Sequence, residues 1–316
     1  MPARMPTRIK VLVTGGAGFI ASHIVDALVE DGHEVIVVDD LSNGRSDRVN
    51  PQARVYEVDI ADSNGLRDVF DREKPDIVNH HAAQTSVRHS MSGPEVDARV
   101  NIIGTINVLQ NCVAQGVQRL VFASSGAVYS EPQYIPMDEG HPIAPKSAYG
   151  LSKHTAEGYI RLYADAYGLR HTVFRYGNVF GPRQDPGGEA GVVAIFTEQL
   201  LSGIQPTIFG DGTKTRDYVF VEDIARANLM ATIGSSGNNT LNLARGVEVS
   251  DLEVFDTIRR ATGSTAEPAY SDRRPGEADR SSLDCSRAEQ VLGWTPQTTF
   301  SAGVDRVVAH MRAGRG

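Results

Sequence analysis

Tyr149 and Lys153 stand four residues apart in Ser147-Ala148-Tyr149-Gly150-Leu151-Ser152-Lys153, a little downstream of Ala123-Ser124-Ser125-Gly126-Ala127. A free phenol ionises near pH ~10 and is a poor base at neutral pH. A cation held beside it favours the phenolate and lowers that value. Residues at i and i+4 share a helix face, so one bound ligand can meet both side chains. With a serine hydroxyl from a neighbouring strand end, Ser125, Tyr149 and Lys153 make a proton-handling site for an alcohol or a ketone. Tyr-x-x-x-Lys also arises as an ordinary packed helix pair, so the elements around it must decide.

Those elements begin at the amino terminus. Ile9-Lys10-Val11-Leu12-Val13 reads as a short buried strand running into Thr14-Gly15-Gly16-Ala17-Gly18-Phe19-Ile20-Ala21. An amphipathic helix follows, with Ile24, Val25, Leu28 and Val29 on its apolar face. A strand, a glycine-rich turn and a helix start form a pyrophosphate cradle, because backbone N–H groups and the helix dipole both face the anion. A second strand, Glu34-Val35-Ile36-Val37-Val38, ends at Asp39, where an acid binds the ribose hydroxyls of a dinucleotide. A carboxylate there repels a 2′-phosphate, so NAD is expected rather than NADP. Arg45 keeps NADP in view, but it lies beyond a loop.

Bulk properties narrow the class. The chain has 316 residues and a formal net charge of -8, which argues against a nucleic-acid or anionic-membrane surface. Cys112 and Cys285 are its two cysteines, too few for a disulfide framework or a cysteine metal site. No apolar run approaches a membrane span. The first apolar segment belongs to the phosphate loop, so it is not read as a removable signal, and a cytoplasmic protein is expected.

Beyond Asp39 strand and helix alternate. Val55–Val58, Asp76–Asn79, Arg119–Ala123 and Arg170–Arg175 read as strands. Helices are expected around Leu66 to Arg72, from Pro94 to Gln115, and from Tyr149 to about Tyr167. Such alternation predicts an α/β fold, a doubly wound parallel sheet with ligands above the carboxyl ends of its strands. After Tyr176 the pattern loosens, and a second, smaller mixed α/β substrate domain is expected. Asp217–Ala225 reads as a segment returning to the sheet. The expected division is 1–175 plus about 214–236 for the dinucleotide, and about 176–213 plus 237–316 for the substrate.

The ordered motifs resemble those of the extended short-chain dehydrogenase/reductases, specifically the UDP-galactose 4-epimerase-like sugar-nucleotide enzymes. The resemblance runs from about Lys10 to Trp294. It includes the Gly15–Ile20 loop, Asp39, Asp59-Ile60, Ala82-Ala83-Gln84, Asn101, Ser125, Tyr149/Lys153 and Arg175–Gln184. Phe209-Gly210-Asp211-Gly212, Arg216–Val219 and Arg274-Pro275-Gly276-Glu277 extend it.

The resemblance implies roles. Gly15, Gly18, Phe19 and Ile20 hold the NAD pyrophosphate, Asp39 the ribose, and Asp59 with Ile60 the adenine. Ala82, Gln84 and Asn101 line the strand end beside the cofactor. Lys153 bonds the nicotinamide ribose, Tyr149 stands at the reacting carbon, and Tyr176 lies beside the nicotinamide. On the substrate side, Asn178 meets the diphosphate, Thr207 and Phe209 the uracil, Arg216 and Arg274 the phosphates, and Glu277 the uridine ribose. The implied reaction oxidises the sugar at C4′ and reduces it again on its other face, so NAD is regenerated in each turnover. Tyr149 is the base, and Ser125 bonds the same oxygen. A homodimer through the Tyr149 helix and the one before it is also implied.

Sister activities are weighed at single positions. Sugar-nucleotide dehydratases of the superfamily carry an Asp-Glu pair where this chain has Gly126 and Ala127, and related decarboxylases carry Glu at the Ala127 position. UDP-glucuronate 4-epimerisation is weighed against Asp185, which stands where uronate-acting enzymes place arginine. Ser281 stands where epimerases restricted to glucose and galactose have a bulky Tyr, so the N-acetylhexosamine pair is expected to fit as well. His80-His81 does not read as a metal site, since adjacent strand residues face opposite ways. A noncatalytic dinucleotide-binding module and an NADPH-dependent reductase remain as weaker readings.

Overall fold

Val11 and Val13 pack into one apolar core and Leu12 into another, and all three are fully buried. A strand covered on both faces needs no polar alternation, which is why it reads as a continuous apolar run. In the computed structural model, which describes residues 8–129, 131–187, 191–234, 237–273 and 278–315, this strand lies inside a seven-stranded sheet.

The strands are β1 (Lys10–Thr14), β2 (Glu34–Asp39), β3 (Arg54–Glu57), β4 (Ile77–His80), β5 (Arg119–Ser125) and β6 (Arg170–Tyr176), followed by β7 (Asn178–Phe180), β8 (Thr207–Phe209), β9 (Thr215–Phe220), β10 (Asn239–Leu243), β11 (Glu248–Ser250) and β12 (Ala269–Ser271). The helices are α1 (Phe19–Glu30), α2 (Ser63–Glu73), α3 (Val87–Ser92), α4 (Pro94–Ala98), α5 (Thr105–Ala114) and α6 (Ala148–Tyr167), then α7 (Val192–Leu201), α8 (Val221–Ile233), α9 (Asp251–Thr262), α10 (Ser286–Leu292) and α11 (Phe300–Ala313).

The large sheet runs β10-β6-β5-β4-β1-β2-β3, and every pairing in it is parallel. One face is covered by α2, α5 and α6 through Leu66, Phe70, Val108, Leu109, Ala156 and Ile160. On the other face α1 contributes Ile24, Val25 and Leu28, and α8 contributes Ala225. The doubly wound sheet expected from the alternation is therefore present. A smaller layer holds the sheets β11-β9-β7 and β12-β8, packed with α7, α9 and α11 around Phe180, Phe196, Phe220, Phe255 and Phe300.

Two expectations are corrected. Asp217–Ala225 does not rejoin the large sheet: its strand half pairs with β7 and β11, and only its helix half, in α8, returns to cover the sheet. The strand that does rejoin is β10, paired along its length with β6. Residues 239–243, assigned from sequence to the substrate part, thus complete the dinucleotide sheet, and Ala288 and Trp294 pack in the same core as Leu241 and Leu243. The helix expected from Pro94 to Gln115 is continuous from Pro94 to Ala114, with a π-helical turn at Arg99–Gly104 between α4 and α5. Such turns often sit at functional sites.

Candidate active site

Gly15 adopts φ +70°, and a Cβ there would lie 2.7 Å from the backbone N of Ala82. Only glycine allows β1 to turn this tightly beneath the end of β4. Gly16 serves packing instead, since a Cβ on it would meet Val37 at 2.7 Å. Helix α1 starts at Phe19 behind Gly18, with no side chain capping it. That leaves its first N–H groups and dipole for an anion.

Asp39 closes the cradle from the tip of β2. Its Oδ2 accepts from Ala17 N and its Oδ1 from Leu41 N, each at 2.9 Å. Burial raises its carboxyl above the ordinary value, while those N–H bonds pull the other way. A carboxylate has about four acceptor sites, so capacity remains for ribose hydroxyls. Arg45 is held by Asp47 at 2.6 Å. The open glycine turn and the carboxylate beside it fit NAD, and no cation reaches Asp39 to receive a 2′-phosphate among the described contacts. Asp59 accepts from Ala61 N and pairs with Arg99 at 2.8 Å. Ile60 is buried against Gly104, where a Cβ would come within 2.6 Å.

His80 ties the strand ends together. Thr14 Oγ1 accepts from His81 N and Ala82 N, so it must donate to His80 Nδ1, 2.6 Å away. Thr105 Oγ1 donates to Asn101 O and so accepts from His80 Nε2 at 3.0 Å. His80 is therefore neutral with its proton on Nε2, and burial holds it well below the usual histidine range. Both ring nitrogens are committed to this relay. His81 Nε2 lies 3.0 Å from the Tyr176 hydroxyl, which also accepts from Asn228 Nδ2. Asn101 accepts from Gln84 N and donates to Gln84 O, to Asp97 and to Ser152. It thus positions the Ala82–Gln84 loop.

The proton-handling residues converge above β5. Ser147 caps α6 by accepting from Gly150 N at 3.1 Å, which sets Tyr149 in the first turn and Lys153 one turn later. Tyr149 N donates to Ser90 Oγ, and the Ser125 hydroxyl lies near enough to the Tyr149 phenol to favour its ionised form. Lys153 Nζ donates to Ala123 O at 2.9 Å and sits 4.9 Å from the Phe122 ring centre. The expected lowering of the phenol by Lys153 is not found. Burial raises Tyr149, the Ser125 hydroxyl opposes this, and Asp97 adds to the rise. Burial also lowers Lys153 to about 8, against the pull of Asp97 and Glu157. Sequence spacing placed the two side chains on one face, but desolvation dominates their titration.

Beneath them lies a buried network that the sequence reading missed. Glu157, fully buried on α6, pairs with Arg175 through Nε at 3.0 Å and Nη2 at 2.7 Å, and accepts from Ser124 Oγ at 2.6 Å. Arg175 Nη1 reaches the Tyr129 hydroxyl, which donates to Asn242 on β10.

The substrate candidates spread over the smaller layer. Asn178 is exposed on β7, and Thr207 and Phe209 lie on β8, paired with β12. Arg216 Nη1 donates to Thr215 O and to Ala278 O. Arg274 and Glu277 lie outside the described residues. Asp217, unnoticed in sequence, accepts from Arg245 N, Gly246 N and Leu283 N, and fixes the segment containing Ser281. Ser281 is half-buried two residues before Leu283, whose Cδ1 would lie 3.6 Å from a Cβ on Gly126. The same Cβ would meet Tyr176 O at 3.2 Å, so the turn after Ser125 has little room for an acidic side chain. Asp185 is 63% exposed and 4.0 Å from Arg48. Two cavities, of about 430 and 350 Å³, lie around Arg161 and Arg287 and around Glu131 and Arg280; neither is lined by Gly15, Tyr149 or Ser281.

Comparison with known proteins follows this geometry. Residues 11–244 match the NAD dependent epimerase/dehydratase family. A UDP-glucose 4-epimerase from Mycolicibacterium smegmatis is 41% identical over 96% of this chain and 99% of its own. The crystal structure of a Thermotoga maritima UDP-glucose 4-epimerase with UDP-glucose superposes with a TM-score of 0.95 at 42% identity, covering 98% of this chain and 100% of that one. A Thermus thermophilus UDP-glucose 4-epimerase in complex with NAD gives 0.91 at 41% identity, with 96% and 99% covered. The chain belongs to the NAD-dependent epimerase/dehydratase family.

Proposed function

We propose that this chain is an NAD-dependent UDP-sugar 4-epimerase that interconverts UDP-glucose and UDP-galactose. The observation that carries it is the convergence of Ser125, Tyr149 and Lys153, with Lys153 Nζ on Ala123 O in β5 and with Gly126 and Ala127 where eliminating enzymes need acids. NAD, when bound in the Gly15–Asp39 cradle, supplies the reversible hydride acceptor. Tyr149 takes the proton of the sugar 4′-hydroxyl and returns it, while Ser125 holds the same oxygen. Lys153 supplies positive charge in a site screened from water. Purified protein given UDP-galactose without added nucleotide should form UDP-glucose with no accumulation of reduced cofactor. Net oxidation of the sugar, or no conversion by protein loaded with NAD, overturns the reading.

The substrate-side roles of Asn178, Thr207, Phe209, Arg216, Arg274, Glu277 and Ser281 belong to the same proposal, as do the cofactor roles named above. A small Ser281 leaves room for a 2′-N-acetyl group, because pocket volume decides rejection of a larger substrate. Wild type should therefore also turn over UDP-N-acetylglucosamine and UDP-N-acetylgalactosamine. Ser281→Tyr should lose that pair by roughly 10-fold or more in kcat/KM and keep the hexose pair. Equal losses on both pairs would remove Ser281 as the gate.

Leu151 and Leu162, both 55% exposed, share one face of α6, and Ile103 in the π-helical turn is 49% exposed. We propose that a second copy of the chain covers this surface, forming a homodimer, since adjoining exposed apolar side chains mark contact sites. Sedimentation equilibrium at micromolar concentration should give twice the chain mass. No helix among the described residues is long and apolar enough to cross a membrane. A cytoplasmic location completes the proposal.

A further inference from the structure

Asp97 lies near the end of α4, just before the π-helical turn, and is 1% exposed. Its Oδ1 accepts from Gln84 Nε2 at 2.9 Å and from Asn101 Nδ2 at 3.1 Å. Asn101 in turn holds both backbone groups of Gln84 and reaches Ser152 Oγ at 3.1 Å, between Tyr149 and Lys153 on α6. A buried carboxylate whose hydrogen-bond partners are neutral amides is costly to keep. The cationic side chain of Lys153 lies close enough to feel it.

We propose that Asp97 is a positioning residue for proton transfer, fixing Gln84 and Asn101 and setting the charge balance between Tyr149 and Lys153. The carboxylate disfavours the Tyr149 phenolate and favours the Lys153 ammonium, so it raises the proton affinity of both groups. Other groups face the pair from every side. Ser125 on β5 stabilises the phenolate, Glu157 on α6 favours the ammonium, and His80 and His81 at the end of β4 stay neutral under burial and the Lys153 charge. Among the described residues, Asp97 is the one acid acting on both members. An enzyme that must return the proton as readily as it takes it gains from a phenol that is not too acidic.

Asp97→Asn keeps an oxygen to accept from Gln84 and Asn101 and removes the charge. In the NAD-loaded protein, both limbs of the kcat–pH profile should move toward lower pH, because removing a nearby negative charge disfavours the protonated form of each group. KM for UDP-galactose should stay unchanged, and Asp97→Glu should restore the wild-type profile. A fall in kcat at every pH with the limbs unmoved overturns the inference and leaves a structural clamp. The kinetic arm rests on the epimerase reading. A second measurement does not: ultraviolet difference titration of the phenolate, with Tyr149→Phe protein as the blank. Tyr149 should ionise at lower pH in Asp97→Asn, and in Asp97→Ser should the first variant not fold. An unmoved phenol titration overturns the inference whether or not the protein epimerises sugars.

Discussion

Tyr149→Phe is expected to lower epimerisation by roughly 10²–10⁴-fold, the range of a positioned acid–base group, with fold and bound NAD retained. The change removes one oxygen from a residue held by other means: its backbone N–H stays on Ser90 and its helix stays capped by Ser147. What disappears is the hydroxyl beside Ser125, the group proposed to take the sugar proton. Initial rates with UDP-galactose, the NAD content of the purified protein and its melting temperature separate these outcomes. A rate near wild type would discard Tyr149 as the base. Lys153→Ala should differ by reducing NAD retention as well as rate, because it removes the proposed cofactor ribose contact together with the charge.

The second large effect concerns stability. Glu157→Ala should destabilise the protein by about 3–5 kcal/mol, the cost of stranding a buried partner charge. Arg175 is 4% exposed and would keep its guanidinium inside without the carboxylate that takes two of its nitrogens. Burial pushes the Glu157 carboxyl up, but Arg175 and Ser124 more than offset this, so it sits below the ordinary carboxyl value. A depressed folded-state value means the pair's stabilisation is complete above the ordinary carboxyl range. It is lost as pH falls through the folded value. Urea unfolding at neutral pH measures the loss, and Glu157→Leu with Arg175→Met should recover most of it. A loss under about 1 kcal/mol would mean that the pair behaves like a surface ion pair.

The dinucleotide half was legible because its signals are local. Gly15 reports a backbone angle, Asp39 a strand tip, and Val11–Val13 a strand buried on both sides. The catalytic spacing was legible for the same reason, since one helical turn separates Tyr149 from Lys153. Their electrostatics were not: spacing says nothing about burial, and burial dominates both titrations here. Glu157, Asp97 and Asp217 were missed because each draws its meaning from partners outside its own helix or strand. Glu157 meets Arg175 across a strand, and Asp217 gathers N–H groups from two distant loops. Strand β10 was misassigned because Asn239, Thr240 and Asn242 make it look like a surface segment, and only its pairing with β6 places it.

That placement has a practical consequence for anyone wishing to excise the NAD half. The chain leaves the large sheet after β6, builds much of the smaller layer, and comes back to lay β10 along β6. A fragment ending at Tyr176 would bare the N–H and C=O groups of Arg170–Tyr176 next to Val173 and Phe174, both fully buried in the intact protein. Such an edge recruits other chains and aggregates. A transplantable nucleotide module from this protein needs Asn239–Leu243 spliced back through a new loop, with α8 carried along to cover the face that α1 leaves open.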